Sequence, residues 1–83
     1  MWEIEEIREL KEIIALMPVK AEFTEDSFIL NDGEFTATIR KDGDKITFNF
    51  NGMVLEFSDI QEFKGAALIS MLEIQLERLF KGV

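Results

Sequence analysis

"RKDGDKITFNFNG", residues 40–52, decides how this chain is read. Two aspartates flank a glycine, alternation follows, and Asn-Gly closes the stretch. A calcium loop of the EF-hand kind needs oxygens at positions 1, 3 and 5, glycine at 6 and a carboxylate at 12. Counted from Asp42, position 5 is Ile46, position 12 is Met53 and the glycine stands at position 2. The ligand pattern fails in three places, and no metal site is expected. A hairpin fits better, because Asp-Gly suits a two-residue type I′ turn whose central residues both need positive φ. With Asp42-Gly43 central, Lys41 opposes Asp44, Ile39 meets Ile46, Ala37 meets Phe48 and Phe35 meets Phe50. Period-two alternation puts those six apolar residues on one face of a sheet.

The same grammar extends outward. Val19, Ala21 and Phe23 share one parity, then Phe28 and Leu30, and after the central pair Met53, Leu55 and Phe57. Between the runs lie Glu25-Asp26, Asp32-Gly33, Asp42-Gly43 and Asn51-Gly52, three of them strong hairpin signals. Two-residue loops throughout bring Phe23 to Phe28, Leu30 to Phe35 and Phe50 to Met53. A one-residue slip would turn a whole face over, so this agreement supports a meander of five strands.

A helix is expected on each side of the sheet in sequence. In residues 2–17, Ile7, Leu10, Ile14 and Met17 recur at helical spacing, with Ile13 and Trp2 beside them. Pro18 ends that helix, since it can neither donate to the previous turn nor tolerate helical geometry at Met17. Ser58 with Gln61 and Asp59 with Glu62 form overlapping capping signatures ahead of a helix over 59–80, closing near Gly82. The expected fold is α+β, a two-layer α-β5-α domain. In it a five-stranded antiparallel meander carries its N- and C-terminal helices packed on one face. The chain reads as a single domain over 1–83, with strands near 19–24, 27–31, 34–41, 44–50 and 53–58.

Composition removes whole classes of function. There is no histidine and no cysteine, so Ser-His-Asp and Cys-His catalysis are excluded, as are disulfides. No glycine motif for phosphate is present, and the chain is read as non-enzymatic with no cofactor. Nine basic residues against seventeen acidic ones give a net charge of −8. That balance disfavours direct nucleic-acid binding and anionic membranes. No apolar run approaches a membrane span, no signal peptide is evident, and the absence of cysteine points to a cytoplasmic setting.

Three surfaces remain for binding. The long C-terminal helix carries two apolar stripes: Leu68, Ile69, Leu72, Leu76, Leu79 and Phe80, and nearly opposite them Ile60, Phe63, Ala67, Met71 and Ile74. A surface helix needs one such face. The first stripe is expected to lie on the sheet and the second to form a homodimer or partner interface, with Gly65 marking a close backbone approach. The outer sheet face offers Thr36, Thr38, Thr47 and Asn49, with Thr38 opposite Thr47 and Thr36 opposite Asn49, as a neutral binding surface. A third candidate is an acidic end formed by Glu3, Glu5, Glu25, Asp26, Asp42, Asp44 and Asp59.

The chain is therefore read as a small acidic protein–protein interaction module, homodimeric through its last helix, with a protein or itself as partner. One alternative is an acidic inhibitor that mimics nucleic acid and blocks the basic groove of an enzyme handling it. Another is a small-molecule carrier with a pocket between helices and sheet, disfavoured because such a space is ordinarily a packed core.

Overall fold

The phenylalanines of the five alternating runs, with Ile39 and Ile46, line one face of a single sheet, and two helices approach that face. The computed structural model describes residues 2–81, the Phe80 side chain apart; Gly82 and that side chain, both part of the expected last helix, lie outside the described residues. The elements are α1 (Ile4–Ile14), β1 (Lys20–Phe23), β2 (Ser27–Asn31), β3 (Thr36–Asp42), β4 (Lys45–Phe50), β5 (Met53–Phe57) and α2 (Ile60–Lys81). The sheet order is β1-β2-β3-β4-β5, every neighbour antiparallel. This is the expected α+β architecture.

Register follows expectation in the outer hairpins, where Phe23 faces Phe28 and Phe50 faces Met53. Both hairpins that involve β3 are displaced by two residues: Leu30 opposes Ala37, not Phe35, and Ile39 opposes Phe48, not Ile46. The physical reasons are local. Asp42 pairs with Lys45, so Gly43 and Asp44 are the central turn residues. Gly43 has φ 62°, and a type II′ turn asks for positive φ only there, whereas type I′ would have imposed it on Asp42 as well. At Asn51-Gly52, with φ 54° and 83°, both central positions do take it.

Between β2 and β3 the loop is longer than the expected Asp32-Gly33 pair because side chains build it. The N–H groups of Glu34 and Phe35 donate to the Asp32 carboxylate at 2.9 and 2.8 Å, and the Gly33 N–H donates to Asn31 Oδ1 at 2.7 Å. The bonds from Phe35 and then Glu34 hold the Asp32 carboxyl below its ordinary 3.8. Each displacement is an even number of residues, so every side chain keeps its face.

On the inner face one row runs Phe23, Phe28, Ile39, Phe48, Leu55 and the next Ala21, Leu30, Ala37, Phe50, Met53. α1 lies over the β2–β3 part, and Leu10, Ile14, Phe28, Leu30, Ile39 and Ile46 form the buried core with Trp2, which meets Phe28 edge-on at 5.8 Å. Burying six such side chains removes on the order of 1.5–3 kcal/mol each of unfavourable hydration. α1 stops at Ile14, and the following residues tighten into turns, with the N–H of Leu16 donating to Ile13 and that of Met17 to Ile14, each at 3.0 Å. Pro18 then sends the chain into β1.

Glu6 ties this half together. It accepts from the Glu3 N–H at 3.0 Å at the start of α1 and from the Lys41 ammonium of β3, and both side chains of the ion pair are about nine-tenths buried. Burial alone would push the Glu6 carboxyl upward, but the bonds from Lys41 and Glu3 together with the Lys41 charge bring it below its ordinary 4.5.

α2 begins on its own cap. The Glu62 N–H donates to Asp59 Oδ1 at 2.9 Å, and the Glu62 carboxylate reaches back to the Ser58 N–H at 3.2 Å and to the Ser58 hydroxyl. Of the two overlapping signatures, Asp59 with Glu62 caps the helix, while Gln61 instead donates to Glu9 of α1 at 3.0 Å. Phe63, 4% exposed, drops into the core and meets Phe57 at 5.3 Å and Phe48 at 6.4 Å. Beyond Phe63 no described residue of α2 is buried.

Candidate functional site

Twenty-two residues of helix rise about 33 Å, and the folded chain measures 45 × 25 × 23 Å. α2 therefore outreaches the layer it starts on. Which stripe turns inward is settled by where β5 delivers the chain. The contacts of Phe63 with Phe48 and Phe57 roll the first two turns so that the stripe Ile60, Phe63, Ala67, Met71 and Ile74 faces home. Phe63 belongs to the protomer's own core, Ile60 packs against that core, Ala67 and Met71 are half-buried and Ile74 is half exposed. The residues expected to meet a partner thus begin as core residues.

The stripe expected to lie on the sheet points away from it. Leu68, Ile69, Leu72, Leu76 and Leu79 are all exposed, Ile69 to 61% and Leu79 to 66%. Ile69, Leu72, Leu76 and Leu79 follow the 3-4-3 spacing of a helix-packing seam. Gly65 stands on this open side, and a Cβ built there would meet nothing within 4 Å. The close backbone approach expected at Gly65 is absent among the described residues, because Gly65 lies on the solvent side of α2.

A second apolar surface lies uncovered on the sheet itself. Phe35, Met53 and Leu55 are about half exposed, although Met53 and Leu55 share the inward face with Leu30 and Ile39. Phe35 meets Phe50 edge-on at 5.7 Å, so these residues form one corner over the β3–β5 end. The row that is buried at Phe28 and Ile39 emerges into solvent at Leu55.

The outer face holds Thr36, Thr38, Thr47 and Asn49, but in different company. Thr38 opposes Asn49, Thr47 opposes Arg40 and Thr36 opposes Asn31, through the same two-residue displacement at β3. The neutral patch is thus interrupted by Arg40 and bordered by Glu56, which opposes Thr47.

At the acidic end, Glu3, Glu5, Glu6, Glu9, Asp44 and Asp59 line a cleft of about 390 Å³ with Lys41. Glu25, Asp26 and Asp42 do not line it. Among the described residues no three carboxylates stand close enough together to hold a metal ion. Glu6 and Glu9, which sequence reading had not singled out, are its structural members: Glu9 accepts from Gln61 and lies 3.8 Å from the Lys64 ammonium, linking α1 to α2. Their only signal in the sequence was a position on the polar side of α1. A second cleft, about 350 Å³ and more apolar, opens between the end of α1 and β1 at Ile14, Met17, Val19 and Phe23.

The total surface puts the open corner in proportion. A compact 9.6 kDa chain exposes about 5,100 Å², whereas this one exposes 6238 Å². Its radius of gyration is 13.3 Å, against about 12 Å for a compact domain of this length. The excess, about 1,100 Å², exceeds the roughly 800 Å² that one partner contributes to an interface of standard size. Among the described residues no helix is long and apolar enough to cross a membrane. No protein-family model, curated protein or solved structure matches this chain.

Proposed function

We propose that this chain is a non-catalytic protein–protein interaction module that works as a homodimer joined through α2. The observation that carries the reading is the exposed row Ile69, Leu72, Leu76 and Leu79 on a helix that outreaches its own sheet. Charge favours a second copy as the occupant. Residues 68–81 hold two acids, Glu73 and Glu77, and two bases, Arg78 and Lys81. The segment is neutral within a chain of net charge −8, so two copies can meet here with little of the repulsion that the acidic end would bring. Covering the excess surface on both copies would remove about 2,200 Å² from water, within the range of permanent homodimers.

The non-catalytic part of the proposal rests on chemistry. The chain lacks histidine and cysteine. Its two carboxyls with lowered pKa, Glu6 and Asp32, are occupied by an ion pair and by a turn. A cytoplasmic setting fits a chain without cysteine.

The test is absolute mass by light scattering after size exclusion over a hundredfold range of concentration. The expected result is twice 9.6 kDa for the parent and a single copy for Leu72→Glu, with unchanged far-ultraviolet circular dichroism. A parent that stays a single copy at every concentration overturns the homodimer.

A further inference from the structure

Two apolar surfaces of one chain lie open: the helix row Ile69, Leu72, Leu76 and Leu79, and the sheet corner of Phe35, Met53 and Leu55 around the partly buried Phe50. The corner is the more telling. Phe50 and Met53 stand in the row of the buried Leu30 and Ala37, Leu55 stands in that of Ile39, and Phe35 meets Phe50 from the loop before β3. A sheet face of that composition is stable only under another layer. In this chain α1 covers the β2–β3 part and the first two turns of α2 cover Phe48 and Phe57. Among the described residues no element closes over Phe35, Met53 and Leu55, each about half exposed.

We propose that in the homodimer each copy's α2 seats its exposed row on the β3–β5 corner of the other copy, completing the partner's second layer. The inference rests on the homodimer reading above and adds where the partner's helix sits. Coverage favours this over helix-on-helix contact alone. Helix-on-helix pairing would satisfy the row but leave Phe35, Met53 and Leu55 in water, whereas reciprocal seating covers both.

The dimensions also agree. From Ile69 to Leu79 the helix rises about 15 Å, and three strands span about 10 Å, so the row crosses the corner on a diagonal. Neither surface carries a charged side chain among the eight residues named, so no ion is stripped of water without a partner. The arrangement is isologous: row meets corner and corner meets row, which closes after two copies and leaves no open end.

Charge substitution on each surface separates the two ideas. Leu76→Glu strikes the row and Leu55→Lys strikes the corner; both positions are nearly half exposed in the single chain, so folding should survive, as circular dichroism would verify. By light scattering each variant alone should show a twofold drop in mass. Mixed in equal amounts they should recover the two-copy mass, because one contact then becomes Lys with Glu and the other stays Leu with Leu. If Leu76→Glu is a single copy while Leu55→Lys remains paired, the helix joins the copies but does not seat on the sheet. A mixture that stays at single-copy mass also overturns the seating. A parent that never pairs overturns the homodimer and the seating together.

Discussion

The two halves of the sheet are made of the same kinds of residue and end in opposite states. Over β2 and β3, α1 closes the inner face completely: Ile39 and Leu10 are 0% exposed, and Glu6 bonds Lys41 where α1 begins. Over β4 and β5, α2 touches down through Phe63 and then departs, leaving Leu55 and Met53 half in solvent. Both strand pairs alternate, and both helices carry apolar rows. The difference lies in how each helix is joined. α1 is followed directly by Pro18 and β1, so it must run back along the strands it covers. α2 is held at its first turns by Phe57, Phe63 and the Asp59–Glu62 cap. An apolar row guarantees burial somewhere, but not within the same chain.

The sharpest way to break this contrast is to make the same truncation in each half. Ile39→Ala should cost about 3 kcal/mol by chemical denaturation, and the loss should persist at the lowest protein concentration. Leu72→Ala should cost less than about 0.5 kcal/mol where the chain is a single copy, and clearly more where it is paired. If Leu72→Ala is as damaging as Ile39→Ala in dilute solution, the open half is closed after all.

A smaller effect probes what locks the closed half. Glu6→Ala strands the largely buried Lys41 ammonium and should destabilise by about 2 kcal/mol at pH 7, between the values for exposed and fully buried pairs. The sign with pH follows from the lowered carboxyl of Glu6. Its stabilising contribution is present above the ordinary value of 4.5 and is lost as pH falls through the still lower folded value. Stability of parent and variant should therefore converge in acid. A gap that is independent of pH would show that the ion pair does not hold α1 to β3.

The smallest effect tests how far α2 stands free. With open space at Gly65, Gly65→Ala should raise stability by up to about 1 kcal/mol through helix propensity alone. The same variant should leave the mass of the pair unchanged if the partner's sheet corner lies along residues 69–79. Loss of pairing would place the partner's backbone against Gly65.

Much of this was legible in the residues. Strand parity was readable because period-two alternation survives any even displacement. The face of Ile39, Phe48 or Phe50 was therefore right even though the β3 partners were displaced by two. Asn51-Gly52 was readable because its turn is decided by two adjacent residues. The Asp42-Gly43-Asp44 turn was not, since either of two neighbouring pairs could occupy its centre, and only the cost of positive φ at a non-glycine residue chose between them. The Glu6–Lys41 pair joins residues 35 apart, and no local pattern announces such a meeting.

What the sequence determined by itself was the order helix, five strands, helix, the inward face of every strand and the presence of two apolar stripes on α2. What only the tertiary structure decided was which stripe turns home. Both stripes carry a row of large apolar side chains, and burial energy scales with area rather than direction. The choice therefore passed to geometry: the exit of β5, the cap at Asp59 and the seat that Phe63 finds between Phe48 and Phe57.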